Sequence, residues 1–191
     1  MRKFIKIFVL LIIINGCTNS DNKLVSFTTR FGNAIIGVLN LEFYNDNNLL
    51  VIKRIGPKYN SPYPPPPKIH NEIHENNSDE INSPEVVNIE NSTAYKLNDK
   101  ESEILIKLIN AIPETELKDY YPKYPLGDGF GYNFQILYSN GIIKDIEVQH
   151  QNITSHEKLI NQMLTYALKY EKNKDNLKVL NSFEDWNHPK Y

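Results

Sequence analysis

The sequence predicts an α+β domain of two layers, an antiparallel sheet of about four strands with two helices on one face, in ββα–ββα order. Three observations predict it. Residues 34–55 and 132–149 each alternate apolar and polar side chains about a central turn signal, the pattern of a hairpin with one buried face. Residues 104–112 and 159–168 carry apolar side chains at helical spacing. The four segments follow one another as hairpin, helix, hairpin, helix, and each brings one apolar surface that has to be covered.

In the first hairpin Leu39, Leu41 and Phe43 share a face, with Asn40 and Glu42 on the other. Asn45-Asp46-Asn47-Asn48 forms the turn. A four-residue loop sets Leu50 opposite Phe43, Ile52 opposite Leu41 and Lys53 opposite Asn40, which keeps one face apolar. Residues 57–93 break the pattern. Pro62, Pro64, Pro65, Pro66 and Pro67 favour a polyproline II path. The Asn-, Glu- and Ser-rich run behind them has too little apolar area to offset ordering entropy, so a disordered insertion is expected there.

The first helix begins at Asn98, with Glu101 completing a capping box, buries Ile104, Leu105, Leu108, Ile109 and Ile112, and stops at Pro113. In the second hairpin, a two-residue turn at Asn140-Gly141 would set Phe134 against Glu147 and Ile136 against Asp145. A three-residue loop, Ser139-Asn140-Gly141 with Gly141 left-handed, sets Tyr138 against Ile142 and Phe134 against Ile146 instead, and burial selects it. The last helix is expected from Thr154, with Glu157 as a second capping box and Leu159, Ile160, Met163, Leu164, Ala167 and Leu168 as its buried stripe. A charged tail follows from Glu171, and its Phe183, Trp186 and Tyr191 are expected to fold back onto the domain.

The first residues carry the clearest functional signal. Arg2, Lys3 and Lys6 precede an unbroken apolar run from Ile7 to Ile14, followed by Asn15-Gly16-Cys17 and a polar stretch. A basic start, a short apolar run and a small residue at the cut describe a secretory signal, and the run falls short of the roughly 20 residues a membrane span needs. Ile14-Asn15-Gly16-Cys17 resembles a lipobox, the motif of bacterial lipoproteins, with Asn15 where Ala, Ser or Thr is usual. The resemblance covers only the first ~20 residues of the chain. It implies cleavage before Cys17, diacylation of the Cys17 sulfur and acylation of the new N-terminus. It therefore implies a lipid-anchored protein of the bacterial cell envelope, held to the membrane through Cys17. Thr18, standing where Asp often marks inner-membrane retention, favours the outer membrane in a two-membrane cell. The expected organisation is a signal peptide at 1–16, the lipidated cysteine and a polar tether at 17–30, and one domain at 31–191 with the insertion at 57–93.

Cys17 is the only cysteine, so no disulfide forms within the chain. Removing residues 1–16 leaves 175 of 191 residues, one domain of ordinary size. It also removes three of the 21 basic residues, so 18 face 23 acidic ones and the net charge is near −5. A phosphate-neutralising basic face is not visible, which argues against nucleic acid as a partner.

Candidate chemistry is sparse. His70 and His74 have the i, i+4 spacing of zinc-protease histidines, but Asn71 stands where the general-base Glu belongs, and the pair follows the prolines. A third ligand could come from His150, His156 or an acidic residue, and nothing in the sequence selects one. His70 and His74 remain weak metal candidates and no cofactor is expected. Gly127-Asp128-Gly129-Phe130-Gly131 looks like a phosphate loop but leads into a strand rather than a helix. There is no free thiol after Cys17 and no Gly-x-Ser-x-Gly elbow.

The most suggestive cluster is aromatic. Tyr120, Tyr121, Tyr124, Phe130 and Tyr132 fall close together, interleaved with Pro122, Pro125 and glycines. Such rings offer large contact area at low entropy cost and suit protein or glycan recognition; the alternative is that they close the end of the sheet. The expectation is a non-catalytic binding module whose partner is another envelope protein or a glycan. The rival readings are an inhibitor or immunity-type lipoprotein and a hydrolase with an unrecognised site.

Overall fold

The computed structural model describes residues 22–53, 92–124 and 129–188. The expected signal peptide, Cys17, most of the insertion with His70 and His74, and Tyr191 lie outside the described residues. The fold is α+β, built on an antiparallel sheet. The strands are β1 (Leu24–Asn33), β2 (Gly37–Tyr44), β3 (Leu49–Lys53), β4 (Thr93–Lys96), β5 (Phe130–Tyr138) and β6 (Ile143–Gln149), in spatial order β4-β3-β2-β1-β5-β6. The helices are α1 (Asp99–Asn110), α2 (Thr154–Tyr170) and α3 (Lys174–Ser182). Among the described residues no helix is long and apolar enough to cross a membrane.

Both hairpin registers agree with the sequence reading. Phe43 lies opposite Leu50, Leu41 opposite Ile52 and Asn40 opposite Lys53. Phe134 lies opposite Ile146, Gly141 is left-handed at φ 83°, and the Tyr138 amide donates to the Ile142 carbonyl across the three-residue loop. Asn98 caps α1 in a full capping box with Glu101, and Leu105, Ile109 and Ile112 are buried as the helical spacing requires. Ile104, expected in that stripe, is exposed.

Four expectations need correction. The tether expected over 17–30 gives way at Leu24 to β1, the strand between β2 and β5. Phe27, Thr29 and Phe31 point one way and Ser26, Thr28 and Arg30 the other, a period of two that stabilises a strand once both neighbours are present. Second, the sheet has six strands among the described residues rather than about four, because β1 joins the centre and Thr93–Lys96, placed inside or beside the insertion by the sequence, pairs with β3. The ββα–ββα order is lost with them. Third, Thr154 is not the cap of α2. Ile153 occupies that position with no side-chain bond, and the Glu157 carboxylate accepts from Asn187 Nδ2 at 2.8 Å instead of reaching back. Fourth, the charged tail contains α3, capped by Asn173 Oδ1 accepting from the amides of Asp175 and Asn176.

The core lies on one face of the sheet. Phe27, Phe31, Leu39, Leu41, Phe43, Leu50, Ile52, Phe134, Ile136 and Val148 pack there with Leu105, Leu159, Ile160, Met163, Leu180, Phe183 and Trp186 from the helices and the segment behind them. Phe183 and Trp186 fold back as expected, and Trp186 meets Phe31, Phe130 and Tyr132 edge-on. Among the described residues no helix covers the opposite face of the sheet. Register divides it into rows: Leu49, Tyr44, Ser26, Leu137 and Ile143; then Val51, Glu42, Thr28, Gln135 and Asp145; then Lys53, Asn40, Arg30, Asn133 and Glu147.

The strands also give the sheet two distinct ends. At one end lie Lys23, the 45–48 turn and the 139–142 turn: Lys23 exchanges bonds with Ser139, and Asn45 with the carbonyls of Leu24 and Val25. At the other end lie Asn33, Gly37, Phe130, Gln149 and Trp186, where Asn33 Nδ2 donates to the Trp186 carbonyl at 2.7 Å.

Candidate functional site

β6 is an outer strand, and an outer strand presents unpaired amides and carbonyls. At its far end the chain itself covers them. The Tyr120 amide donates to the Glu147 carbonyl at 2.8 Å, and the Gln149 amide donates to the Tyr120 carbonyl at 2.9 Å, a one-residue parallel bridge between Tyr120 and Val148. Asp119 Oδ1 accepts from the Glu147 amide at 2.8 Å. These three bonds clamp a strap, residues 118–124, along the sheet margin.

The Glu147 side chain then sets the strap's surface. Its Oε2 accepts from the Tyr121 hydroxyl at 3.1 Å and its Oε1 from the Gln149 amide group at 2.7 Å. Desolvation and then this carboxylate push the Tyr121 phenol above its ordinary pKa, so it remains protonated and can donate. The Lys118 ammonium sits 5.3 Å from the centre of the Tyr120 ring, and that of Lys123 lies 5.5 Å from Tyr124.

The five aromatic residues singled out by the sequence separate into three environments. Tyr132 is core. Phe130 is half-buried against Trp186, with ring centres 5.7 Å apart, and Tyr120 is half-buried as the bridging residue. Tyr121 and Tyr124 face solvent at 58% and 68% exposure. Packing thus accounts for three of the five, and the surface available for recognition is the pair Tyr121 and Tyr124. Asp119, Glu147 and Gln149, which hold that surface in place, were missed. Their partners are distant in sequence, and the only signal was the polar side of β6.

Beneath the strap is a buried polar pair. Tyr132 Oη and His156 Nδ1 are 3.0 Å apart, and His156 is wholly buried between Tyr132 and Phe134. Its Nε2 has no partner. Burial lowers the His156 pKa to about 4, with the Glu116 carboxylate opposing the shift, so the imidazole is neutral at pH 7. The tautomer follows. With the proton on Nε2, Nδ1 accepts the Tyr132 hydroxyl and one donor is left unpaired; the other tautomer strands the hydroxyl proton as well. Burial raises the Tyr132 phenol far above its usual range, so it keeps that proton. With Nδ1 bonded to Tyr132 and no access to solvent, the imidazole serves packing.

His150 has a left-handed backbone, φ 54°, and its ring occupies the space where a side chain on Gly129 would lie. His150 and His156 therefore both have packing roles. Among the described residues no group of three or more His, Cys, Asp and Glu side chains is placed to hold a metal ion. Comparison with known protein families, with curated proteins and with solved structures finds no match to the chain.

Proposed function

We propose that the chain is a lipid-anchored lipoprotein of the bacterial cell envelope, attached through Cys17, whose α+β domain is a non-catalytic binding module for another envelope protein or a glycan. One observation carries the binding part of this reading: Tyr121 and Tyr124 are presented to solvent on a strap fixed to the sheet by three hydrogen bonds. A clamped strap loses little conformational entropy on binding, and tyrosines combine apolar area with a polar tip. The lipid part rests on Ile14-Asn15-Gly16-Cys17 and the basic, apolar stretch before it.

Two measurements test the two halves. Intact mass of the membrane-extracted protein is expected to show a chain starting at Cys17 and bearing acyl groups; an unmodified cysteine or a different start refutes the anchor. For binding, envelope proteins crosslinked to the native protein and envelope glycans retained by it are compared with those of Tyr121→Ala/Tyr124→Ala. Truncating an aromatic hot spot costs about 2 kcal/mol or more, roughly 30-fold in Kd, so the double variant should lose its specific partner. Both residues are exposed, so its unfolding midpoint should not move. Equal retention by the two proteins refutes the strap.

A further inference from the structure

The sheet face opposite the helices changes character along the strands. The row at the Lys23 end contains Leu49, Tyr44, Leu137 and Ile143, interrupted by Ser26 and ending at Lys96 on β4. Two rows further on, Lys53, Asn40, Arg30, Asn133 and Glu147 are polar without exception. The apolar row is not sealed. Ile143 is 58% and Tyr44 38% exposed, and Ile142, in the adjoining turn, is 48% exposed. Single apolar residues scattered on a surface need no explanation, whereas a contiguous group at one margin does.

The chain enters the domain beside this margin. Lys23 is bonded to Ser139, the first residue of the turn that leads to Ile142 and Ile143. Cys17 lies six residues before Lys23 in the sequence, so even a fully extended chain holds it within about 20 Å. The opposite end of the sheet is the length of β1 away, ten residues or about 30 Å.

We propose that this margin, formed by Ile142, Ile143, Leu137, Tyr44 and Leu49, is a membrane-docking surface that rests in the interfacial layer of the bilayer to which Cys17 is anchored. The occupant is the bilayer because the tether brings it there and because the surface has the matching chemistry. Aliphatic side chains and a tyrosine settle at the headgroup boundary, and the exposed Lys23 beside them can extend its ammonium group to lipid phosphates. The sheet then stands with its polar rows and the Tyr121/Tyr124 strap directed away from the membrane. The inference rests on the lipid anchor proposed above.

The chain's sole cysteine is the acylated one, so an introduced cysteine takes a label uniquely. Ile143→Cys, Tyr44→Cys and Ile35→Cys are each labelled with bimane in the full-length lipidated protein. The proteins are reconstituted into vesicles of phosphatidylethanolamine and phosphatidylglycerol carrying a headgroup nitroxide lipid. Ile35 is a control of similar exposure, 40%, in the turn at the opposite end of the sheet. Trp186 fluorescence checks that each variant is folded. The expected result is a blue shift and strong quenching at 143 and 44, and neither at 35. Quenching at no position, or equally at all three, on protein that is stably membrane-bound overturns the docking surface and leaves the anchor intact. Protein that stays in the aqueous phase with Cys17 unmodified overturns both.

Discussion

His156 should make this protein acid-sensitive over a pH window that its carboxylates do not share. The ring is wholly buried and neutral, with a pKa near 4 set by burial, against 6.5 for an exposed histidine. The unfolded chain therefore binds a proton below pH 6.5 that the folded chain refuses until pH 4, and folding loses free energy as pH falls through that interval. Above 6.5 the stability from this group is complete and below 4 the loss is complete. The two pKa values give a loss of about 2 kcal/mol at pH 5, approaching about 3 kcal/mol at the acid limit. Urea unfolding at fixed pH measures it, read by Trp186, the only tryptophan, which stacks edge-on against Tyr132 at 5.6 Å. Glu101 and Glu171 also contribute acid sensitivity, but at lower pH. Burial raises both pKa values, while hydrogen bonds from Lys169 and Tyr170 to Glu101, and from Tyr95 and Asn176 to Glu171, outweigh it and hold them below 4.5. Between pH 6.5 and 5 the histidine should dominate. If His156→Leu keeps the wild-type slope of unfolding free energy against pH over that range, the reasoning is wrong.

Other expectations follow from single contacts. His156→Leu leaves the Tyr132 hydroxyl buried without a partner and should cost about 1–3 kcal/mol at pH 7, whereas His156→Leu combined with Tyr132→Phe should recover much of that loss by urea unfolding. Gly32→Ala would place a methyl carbon 1.9 Å from the Gly37 carbonyl oxygen, a backbone atom with no rotamer to retreat to. It should lower stability by more than about 3 kcal/mol or prevent folding, measured by thermal unfolding. Asp119→Ala removes the acceptor of the Glu147 amide. It should cost about 1 kcal/mol and accelerate hydrogen exchange at Glu147 while leaving the core of β5 protected.

The parts of the fold that were legible in the sequence are those where one local signal decides. The two hairpin registers are fixed by which slip buries Glu147 or Lys53, and α1 by Asn98 and Glu101 together. β1 was missed because Thr29, a polar residue, occupies a core position between Phe27 and Phe31, and because Lys23 and the polar residues before it read as linker. The Thr29 hydroxyl is buried without a hydrogen-bond partner, a cost the strand carries because its neighbours on both sides supply the backbone bonds. β4 offers a single core residue, Tyr95, in four, too few for a period to show. The cap expected at Thr154 failed for a tertiary reason. Glu157 has a better partner in Asn187, which is thirty residues away and visible only after the C-terminal segment folds back. For the candidate site, aromatic composition located the segment but could not separate rings that pack from rings that project, since that depends on where β6 and Trp186 lie.

The strap's two tyrosines are unequal for a physical reason. The strap has one root at Tyr120, held by backbone bonds to β6; nearer β5 the Gly129 carbonyl accepts from the Ala34 amide, the Phe130 carbonyl accepts from the His150 amide, and the Phe130 ring rests on Trp186. Tyr121 is one residue from the first root and its hydroxyl is tied to Glu147, itself steadied by Gln149. Tyr124 lies three residues further out and touches only the neighbouring Lys123 ammonium among the ring contacts of the strap. An ordered ring gives up less freedom on contact than a mobile one, so contact area at Tyr121 converts to affinity more fully than the larger exposed area at Tyr124. The proposed attachment through Cys17 would work toward the same result. If Cys17 carries the proposed anchor, β1, which starts seven residues after it and runs through the middle of the sheet, would limit how far the strap can wander from the membrane. A partner approaching from outside would then meet a surface already held at a defined height and orientation, and the entropy of finding it is correspondingly reduced.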